Sequence, residues 1–76
     1  MHERYFFDVI GPGHRYIDYR GQSLGLPSDA LQVAEAIALD IENSDHEWSE
    51  SQVEVRVPDG AHLYTVPVRH PDLIAW

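Results

Sequence analysis

Residues 4–19 read RYFFDVIGPGHRYIDY, two runs rich in aromatic and β-branched residues on either side of Gly11-Pro12-Gly13. Such runs favour β-strands, and glycine and proline between them favour a tight reversal of the chain. We therefore predict a β-hairpin. A three-residue loop places Ile10 opposite His14, and the side chains of each strand then alternate between the two faces of the sheet.

A second hairpin is predicted farther along the chain. Residues 52–57, QVEVRV, alternate between polar and apolar side chains, as in a half-buried strand. The following Pro58-Asp59-Gly60 suits a type I turn closed by a glycine in the left-handed conformation, which pairs Val57 with Ala61. The same register pairs Val55 with Leu63, Val53 with Thr65, Glu54 with Tyr64, Arg56 with His62 and Gln52 with Val66.

A helical pattern lies between the two hairpins. Apolar residues recur at steps of three and four from Ala30 to Ile41, which is typical of an amphipathic helix. We place the helix at residues 29–44, with Ser28 as its N-cap.

These elements together predict an α+β fold of the order ββαββ, a four-stranded antiparallel sheet with one helix packed on one face. The chain of 76 residues is long enough for a single domain, residues 1–76. We expect the structured core to cover residues 4–68 and the remaining residues, 69–76, to form a C-terminal tail.

The predicted registers give the sheet two different faces. The face towards the helix is expected to form the core and holds Tyr5, Phe7, Val9, Ile17, Tyr19, Val53, Val55, Val57 and Leu63. The opposite, helix-free face receives Phe6, Tyr16, Tyr64 and Val66 among charged residues. An apolar patch with a charged border is typical of an interface. We therefore predict that Phe6, Tyr16, Tyr64 and Val66 mediate a homodimer or bind another protein, unless the tail covers them.

The composition excludes several classes of function. The chain has 13 acidic residues against five arginines and no lysine, a formal charge of −8, which disfavours binding to nucleic acid. The absence of cysteine excludes disulfides, thiolate zinc sites and a cysteine nucleophile. The sequence carries neither a signal-peptide pattern nor an apolar run of about 18 residues, so we expect a cytoplasmic protein that does not enter a membrane.

No catalytic or metal-binding motif is evident in the sequence. The five histidines are scattered, and no two of them have the spacing of metal ligands on a helix or a strand. The segment from Asp18 to Gly21 begins like a calcium loop but lacks the further oxygen ligands. We therefore expect no enzymatic activity, no metal and no cofactor.

The chain resembles a bacterial family of very short proteins that share a domain of unknown function. The resemblance covers roughly residues 4–68. It rests on the opening strand Arg4-Tyr5-Phe6-Phe7, a D-x-x-G-x-x-L segment at Asp18, Gly21 and Leu24, an alanine-rich helix, the turn Asp59-Gly60 and the closing strand Leu63-Tyr64-Thr65-Val66-Pro67. The chain departs from the pattern at Gly25-Leu26, an insertion, and at Ser28, which separates Pro27 from Asp29. The family implies a fold and no activity or binding residues.

We interpret the chain as a small non-enzymatic interaction module that associates with itself or with a protein partner through the helix-free sheet face. A weaker similarity to HicB-type antitoxins, which also place a hairpin before a helix, suggests an acidic protein that neutralises a basic toxin. A third alternative is a small-ligand sensor with its pocket at a dimer interface.

Overall fold

The computed structural model describes residues 3–44 and 50–68, and the predicted tail at 69–76 lies outside them. The described residues form one helix, α1, and five strands. The elements in chain order are β1 (Glu3–Gly11), β2 (His14–Tyr16), β3 (Gln22–Leu24), α1 (Pro27–Ser44), β4 (Gln52–Arg56) and β5 (His62–Pro67). The predicted fold class is confirmed, because one helix packs against an antiparallel sheet. The strand count differs because the predicted second strand, from His14 to Tyr19, ends at Tyr16, and the segment predicted as a connection to the helix contains a short further strand, β3.

The sheet has the strand order β2-β1-β4-β5, with β3 also paired to β1. All the pairings are antiparallel. Strand β1 is nine residues long and serves as the partner of β2 near Gly11, of β3 near Tyr5 and of β4 from Phe6 to Ile10. It is therefore the strand around which the sheet is organised.

The first hairpin turns more tightly than predicted. Gly11 pairs with His14, so the loop consists of Pro12 and Gly13 alone. Gly13 has a φ of 81°, which matches the third residue of a type II turn after a proline. Gly11 stays in the strand, where a Cβ atom would overlap Ser51 Oγ. The predicted pairing of Ile10 with His14 is therefore wrong by one residue, and the partner of Tyr16 is Val9.

The second hairpin has the predicted loop but a different register beyond it. Gly60 has a φ of 95°, and the backbone N–H of Val57 donates to the carbonyl oxygen of Ala61 (3.0 Å). Arg56 pairs with His62 as predicted, but a β-bulge follows and Val55 pairs with Tyr64. The predicted pairings beyond the bulge, Val55 with Leu63, Val53 with Thr65, Glu54 with Tyr64 and Gln52 with Val66, are therefore wrong.

Helix α1 begins two residues earlier than predicted, at Pro27. Proline is favoured at the first position of a helix, because a backbone N–H at that position would have no acceptor within the helix. Leu26, rather than Ser28, is the N-cap residue, and its backbone N–H donates to Asp29 Oδ2 (3.2 Å). This reach of an acidic side chain back to the cap is half of a capping box.

The core lies between α1 and the sheet. Three alanines at steps of four, Ala30, Ala34 and Ala38, form the buried stripe of the helix. Their small side chains let the helix approach the sheet closely. The core is completed by Tyr5, Phe7, Val9, Val53, Val55 and Val68, with Val57 packed against it. Of the residues predicted for the core, Tyr19 is 87% exposed, Leu63 is 40% exposed and Ile17 is half-buried.

Candidate functional site

A paired arginine and aspartate occupy the centre of the helix-free sheet face. Arg56 on β4 binds Asp8 on β1 through two contacts, Nε to Oδ2 at 2.6 Å and Nη2 to Oδ1 at 3.1 Å. Asp8 is 4% exposed, and the guanidinium carbon lies 4.7 Å from the centre of the Phe6 ring. The hydrogen bond to Asp8 raises the pKa of Arg56 despite partial burial. Such a bidentate, partly buried pair fixes the positions of both side chains.

Beside this pair, the edge of the sheet is interrupted by an insertion. Tyr5 pairs with Gln22 and Val9 pairs with Tyr16, so three residues of β1 face five residues of the edge segment. The two extra residues cannot form ladder hydrogen bonds with β1, so they bulge out of the sheet. We call residues 17–21 the edge bulge.

Asp18 holds the edge bulge in place. Its Oδ2 accepts a hydrogen bond from the backbone N–H of Phe7 (3.1 Å), and its Oδ1 accepts from those of Arg20 and Gly21 (both 3.0 Å). Its own backbone N–H donates to Asp8 Oδ1 (2.9 Å), and its carbonyl oxygen accepts from Arg56 Nη2 (2.9 Å). One residue thus replaces the missing ladder hydrogen bonds and joins the bulge to β1 and β4.

The carboxyl group of Asp18 is held in its ionised form. Partial burial by itself raises the pKa of this group, but hydrogen bonds from the backbone N–H groups of Gly21, Phe7 and Arg20 lower it. The positive charge of Arg56 acts in the same direction. The net result is a pKa below the ordinary value for aspartate. The bulge therefore keeps its anchor at neutral pH.

Gly21 ends the edge bulge at a position that only glycine fits. Its φ is 72°, in the left-handed region. A Cβ atom there would lie 2.8 Å from Arg4 Cγ and 2.9 Å from Phe6 Cε1. Arg4 Nη1 also donates to the carbonyl oxygen of Arg20 (2.7 Å). The D-x-x-G spacing of Asp18 and Gly21 is thus explained by backbone geometry, with the aspartate binding N–H groups.

The edge bulge and the end of β2 beside it present aromatic rings and cations to solvent. Tyr16 is 59% exposed and Tyr19 is 87% exposed, and Arg15 and Arg20 are exposed next to them. Residues 15–21 line one open groove. We call Arg15, Tyr16, Tyr19 and Arg20 the bulge patch. Asp18 anchors the backbone of Arg20, and the pairing of β2 with β1 holds that of Arg15 and Tyr16.

The four residues predicted as an interface do not form one surface. Phe6 lies half-buried on the helix-free face, next to Arg56. Tyr64 and Val66 pack against the core on the helix side, because the bulge in β5 reverses their orientation. Tyr16 pairs with Val9 and thus shares the face of that residue. Their role in an interface stays a prediction, and Tyr16 is the most exposed of the four.

The network of Asp8, Asp18 and Arg56 was not predicted from the sequence. Two signals point towards it: an aspartate inside the apolar run of β1, and the spacing of Asp18 and Gly21. A charged residue within a buried strand usually has a partner of opposite charge. That the partner is Arg56 depends on the pairing of β1 with β4, which joins segments 48 residues apart.

In the described part of the chain, no group of three or more His, Asp or Glu side chains is placed to hold a metal ion. Nor does any helix among the described residues have the length and apolar character needed to cross a bilayer.

Comparison with known proteins places the chain in a family. No curated protein and no solved structure matches it. A family model described as Domain of unknown function (DUF6894) matches residues 4–69, a span that includes all of β1 but its first residue, the edge bulge, α1 and the second hairpin. The chain therefore belongs to the DUF6894 family, a domain of unknown function.

Proposed function

We propose that this protein is a small self-associating interaction module without enzymatic activity, and that its contact surface is the bulge patch. The observation that carries the proposal is the exposure of two tyrosines, Tyr16 at 59% at the end of β2 and Tyr19 at 87% on the edge bulge, which Asp18 ties to two strands. Tyrosine and arginine are the residue types enriched in protein interfaces and at their energetic centres.

The rigidity of the bulge favours binding. A surface that is already ordered loses less conformational entropy when a partner contacts it. A tyrosine side chain has few rotatable bonds, so it contributes a large contact area at a small entropy cost. The patch therefore combines a fixed backbone with side chains that lose little freedom on contact.

The helix-free face is a weaker candidate for the contact surface. Its charged groups bind one another: Arg56 pairs with Asp8, and His62 Nε2 lies 2.8 Å from Glu54 Oε1. A partner on this face would have to compete with these contacts or leave them intact. The edge of the sheet is therefore a better candidate for the contact surface than its helix-free face.

The proposal is tested by the molar mass of the purified protein over a wide concentration range, measured by sedimentation velocity. We expect the native protein to shift from monomer to dimer and Tyr16→Ser/Tyr19→Ser to remain monomeric. Leu63→Ser is the matched control, because Leu63 is 40% exposed on the opposite edge strand, and its loss should leave association unchanged. A folded double variant that associates like the native protein contradicts the proposal.

A second candidate function, a small-ligand sensor, is favoured by the open groove along residues 15–21. Its arginines and tyrosines suit a planar anionic ligand, which would stack on a ring and pair with a guanidinium. A thermal-shift screen against anionic aromatic metabolites tests this, with Tyr16→Ser/Tyr19→Ser as the control. A ligand that stabilises the native protein and not this variant would support the candidate.

A further inference from the structure

The charges of this acidic chain are unevenly distributed. Residues 1–24 contain three arginines and three acidic residues, so this part is formally neutral. The remaining residues, 25–76, contain ten acidic residues and two arginines, which gives the whole charge of −8. The bulge patch, with Arg15 and Arg20, thus belongs to the neutral part, and the helix belongs to the acidic part.

The outer surface of α1 carries apolar and charged groups that complement those of the bulge patch. Leu39 is 56% exposed on the helix. Its neighbours at i−4 and i+3 are Glu35, which is exposed, and Glu42, which is half-buried. We call Glu35, Leu39 and Glu42 the helix patch. Of the exposed large apolar side chains among the described residues, only Leu39 has a glutamate both four residues before it and three residues after it.

Resting on the proposed self-association, we infer that the bulge patch of one copy binds the helix patch of a second copy. In this contact, Leu39 packs against Tyr16 and Tyr19 while Glu35 and Glu42 face Arg15 and Arg20. Apolar surface at the centre and opposite charges at the border match the composition of protein interfaces. Because each copy carries both patches, two reciprocal contacts close the pair into a dimer.

The uneven charge explains how two copies with the same large net charge associate. At physiological ionic strength the interaction between exposed charges is screened beyond about 8 Å, so the charges at the contact outweigh the distant ones. The contact puts the carboxylates of one copy opposite the guanidinium groups of the other. Salt well above physiological strength should weaken the dimer, because the paired charges at the contact are then screened as well.

Two charge-reversed variants test the contact. The first, Arg15→Glu/Arg20→Glu, has acids on both patches, and the second, Glu35→Arg/Glu42→Arg, has arginines on both. Each variant alone should associate at least about tenfold more weakly than the native protein, because both contacts in its homodimer become repulsive. An equimolar mixture should form a heterodimer, since both of its contacts then join opposite charges.

The control variant Glu50→Arg/Asp59→Arg changes the net charge as much as the second variant, at exposed sites outside both patches. It should associate at least as well as the native protein. Circular dichroism confirms that each variant is folded. If Arg20→Glu disturbs the neighbouring Asp18, Arg15→Glu alone carries the same test.

The outcomes separate the inference from the proposed function. A heterodimer in the mixture, with weak homodimers, supports the contact between the two patches. A mixture that stays monomeric, while the native protein dimerises and both variants are folded, overturns the inference and leaves self-association standing. A native protein that stays monomeric at every concentration overturns the proposed function, and the inference with it.

Discussion

Replacing Asp18 by alanine tests whether this side chain holds the edge bulge in place. The change removes the acceptor of three backbone N–H groups, of which those of Phe7 and Gly21 are partly buried and that of Arg20 is exposed. A hydrogen bond to a charged group is worth about 1.5–3 kcal/mol when buried. Since Asp18 is itself only half-buried, we reduce this to about 1 kcal/mol for each partly buried bond and expect a total loss of about 2–3 kcal/mol.

This loss is large for a chain of 76 residues, for which a total free energy of unfolding of about 4–11 kcal/mol is typical. Urea unfolding at neutral pH, followed by circular dichroism at one fixed protein concentration, measures it. The matched control is Asp59→Ala, which removes one hydrogen bond, from the backbone N–H of Ala61 (2.9 Å), in an exposed turn. We expect the control to lose less than about 1 kcal/mol. The reasoning about the bulge is refuted if Asp18→Ala loses no more than Asp59→Ala.

Three further predictions concern the same network. Gly21→Ala should lower the free energy of unfolding, measured in urea, by at least about 2 kcal/mol, because the new Cβ atom adds left-handed strain and overlaps its neighbours. Gly13→Ala, at a φ of 81° with open space around it, should lose only about 1 kcal/mol. Equal losses would contradict the predicted overlap. Because the pKa of Asp18 is lowered in the folded state, its contribution is fully present above the unfolded value of about 3.9 and is lost as the pH falls below it. The difference in stability between the native protein and Asp18→Asn should therefore be constant from about pH 5 to 7 and shrink progressively below about pH 4, and a difference that is as large at pH 3 as at pH 7 contradicts this. Arg56→Met should lower the free energy of unfolding by about 3 kcal/mol, because Asp8 stays buried without its charged partner. Asp8→Leu/Arg56→Met should lower it by less than the sum of the two single changes, and a double-mutant cycle measures this coupling. Additive losses would count against the coupling.

The order of the elements was predictable because its signals are local. The alternation from Val53 to Val57 and the steps of three and four from Ala30 to Ile41 each specify one kind of element. Gly60 sits where the predicted loop needs a left-handed residue. Such patterns depend on residues within one or two turns of each other, and sequence analysis can identify them.

The registers were less predictable because they depend on contacts between distant segments. Gly11-Pro12-Gly13 is compatible with a loop of either two or three residues, and the close approach of Ser51 to Gly11 is not visible in the local sequence. The bulge at Leu63 has no glycine to mark it. Because side chains alternate along a strand, each shift by one residue moved a set of predicted interface residues to the other face.

The candidate site was predictable only in part. The sequence predicts the exposed Tyr16 as an interface residue but places Tyr19 in the core, because its pattern indicates a second strand that continues to Tyr19 and no edge bulge. The bulge depends on Asp18 binding N–H groups of its own loop and of β1. The sequence shows the aspartate and the glycine of this arrangement but does not show where the strand beside them is interrupted.

The most direct test of the account is the molar mass of the native protein and of Tyr16→Ser/Tyr19→Ser, measured side by side by sedimentation velocity from about 1 µM to about 500 µM. We predict that the native protein approaches twice the mass of one chain as its concentration rises. The variant, with an unchanged circular dichroism spectrum, should keep the mass of one chain throughout. A native protein that stays monomeric over this range, or a folded variant that dimerises equally well, would contradict the central claim that the exposed tyrosines of the bulge patch mediate self-association.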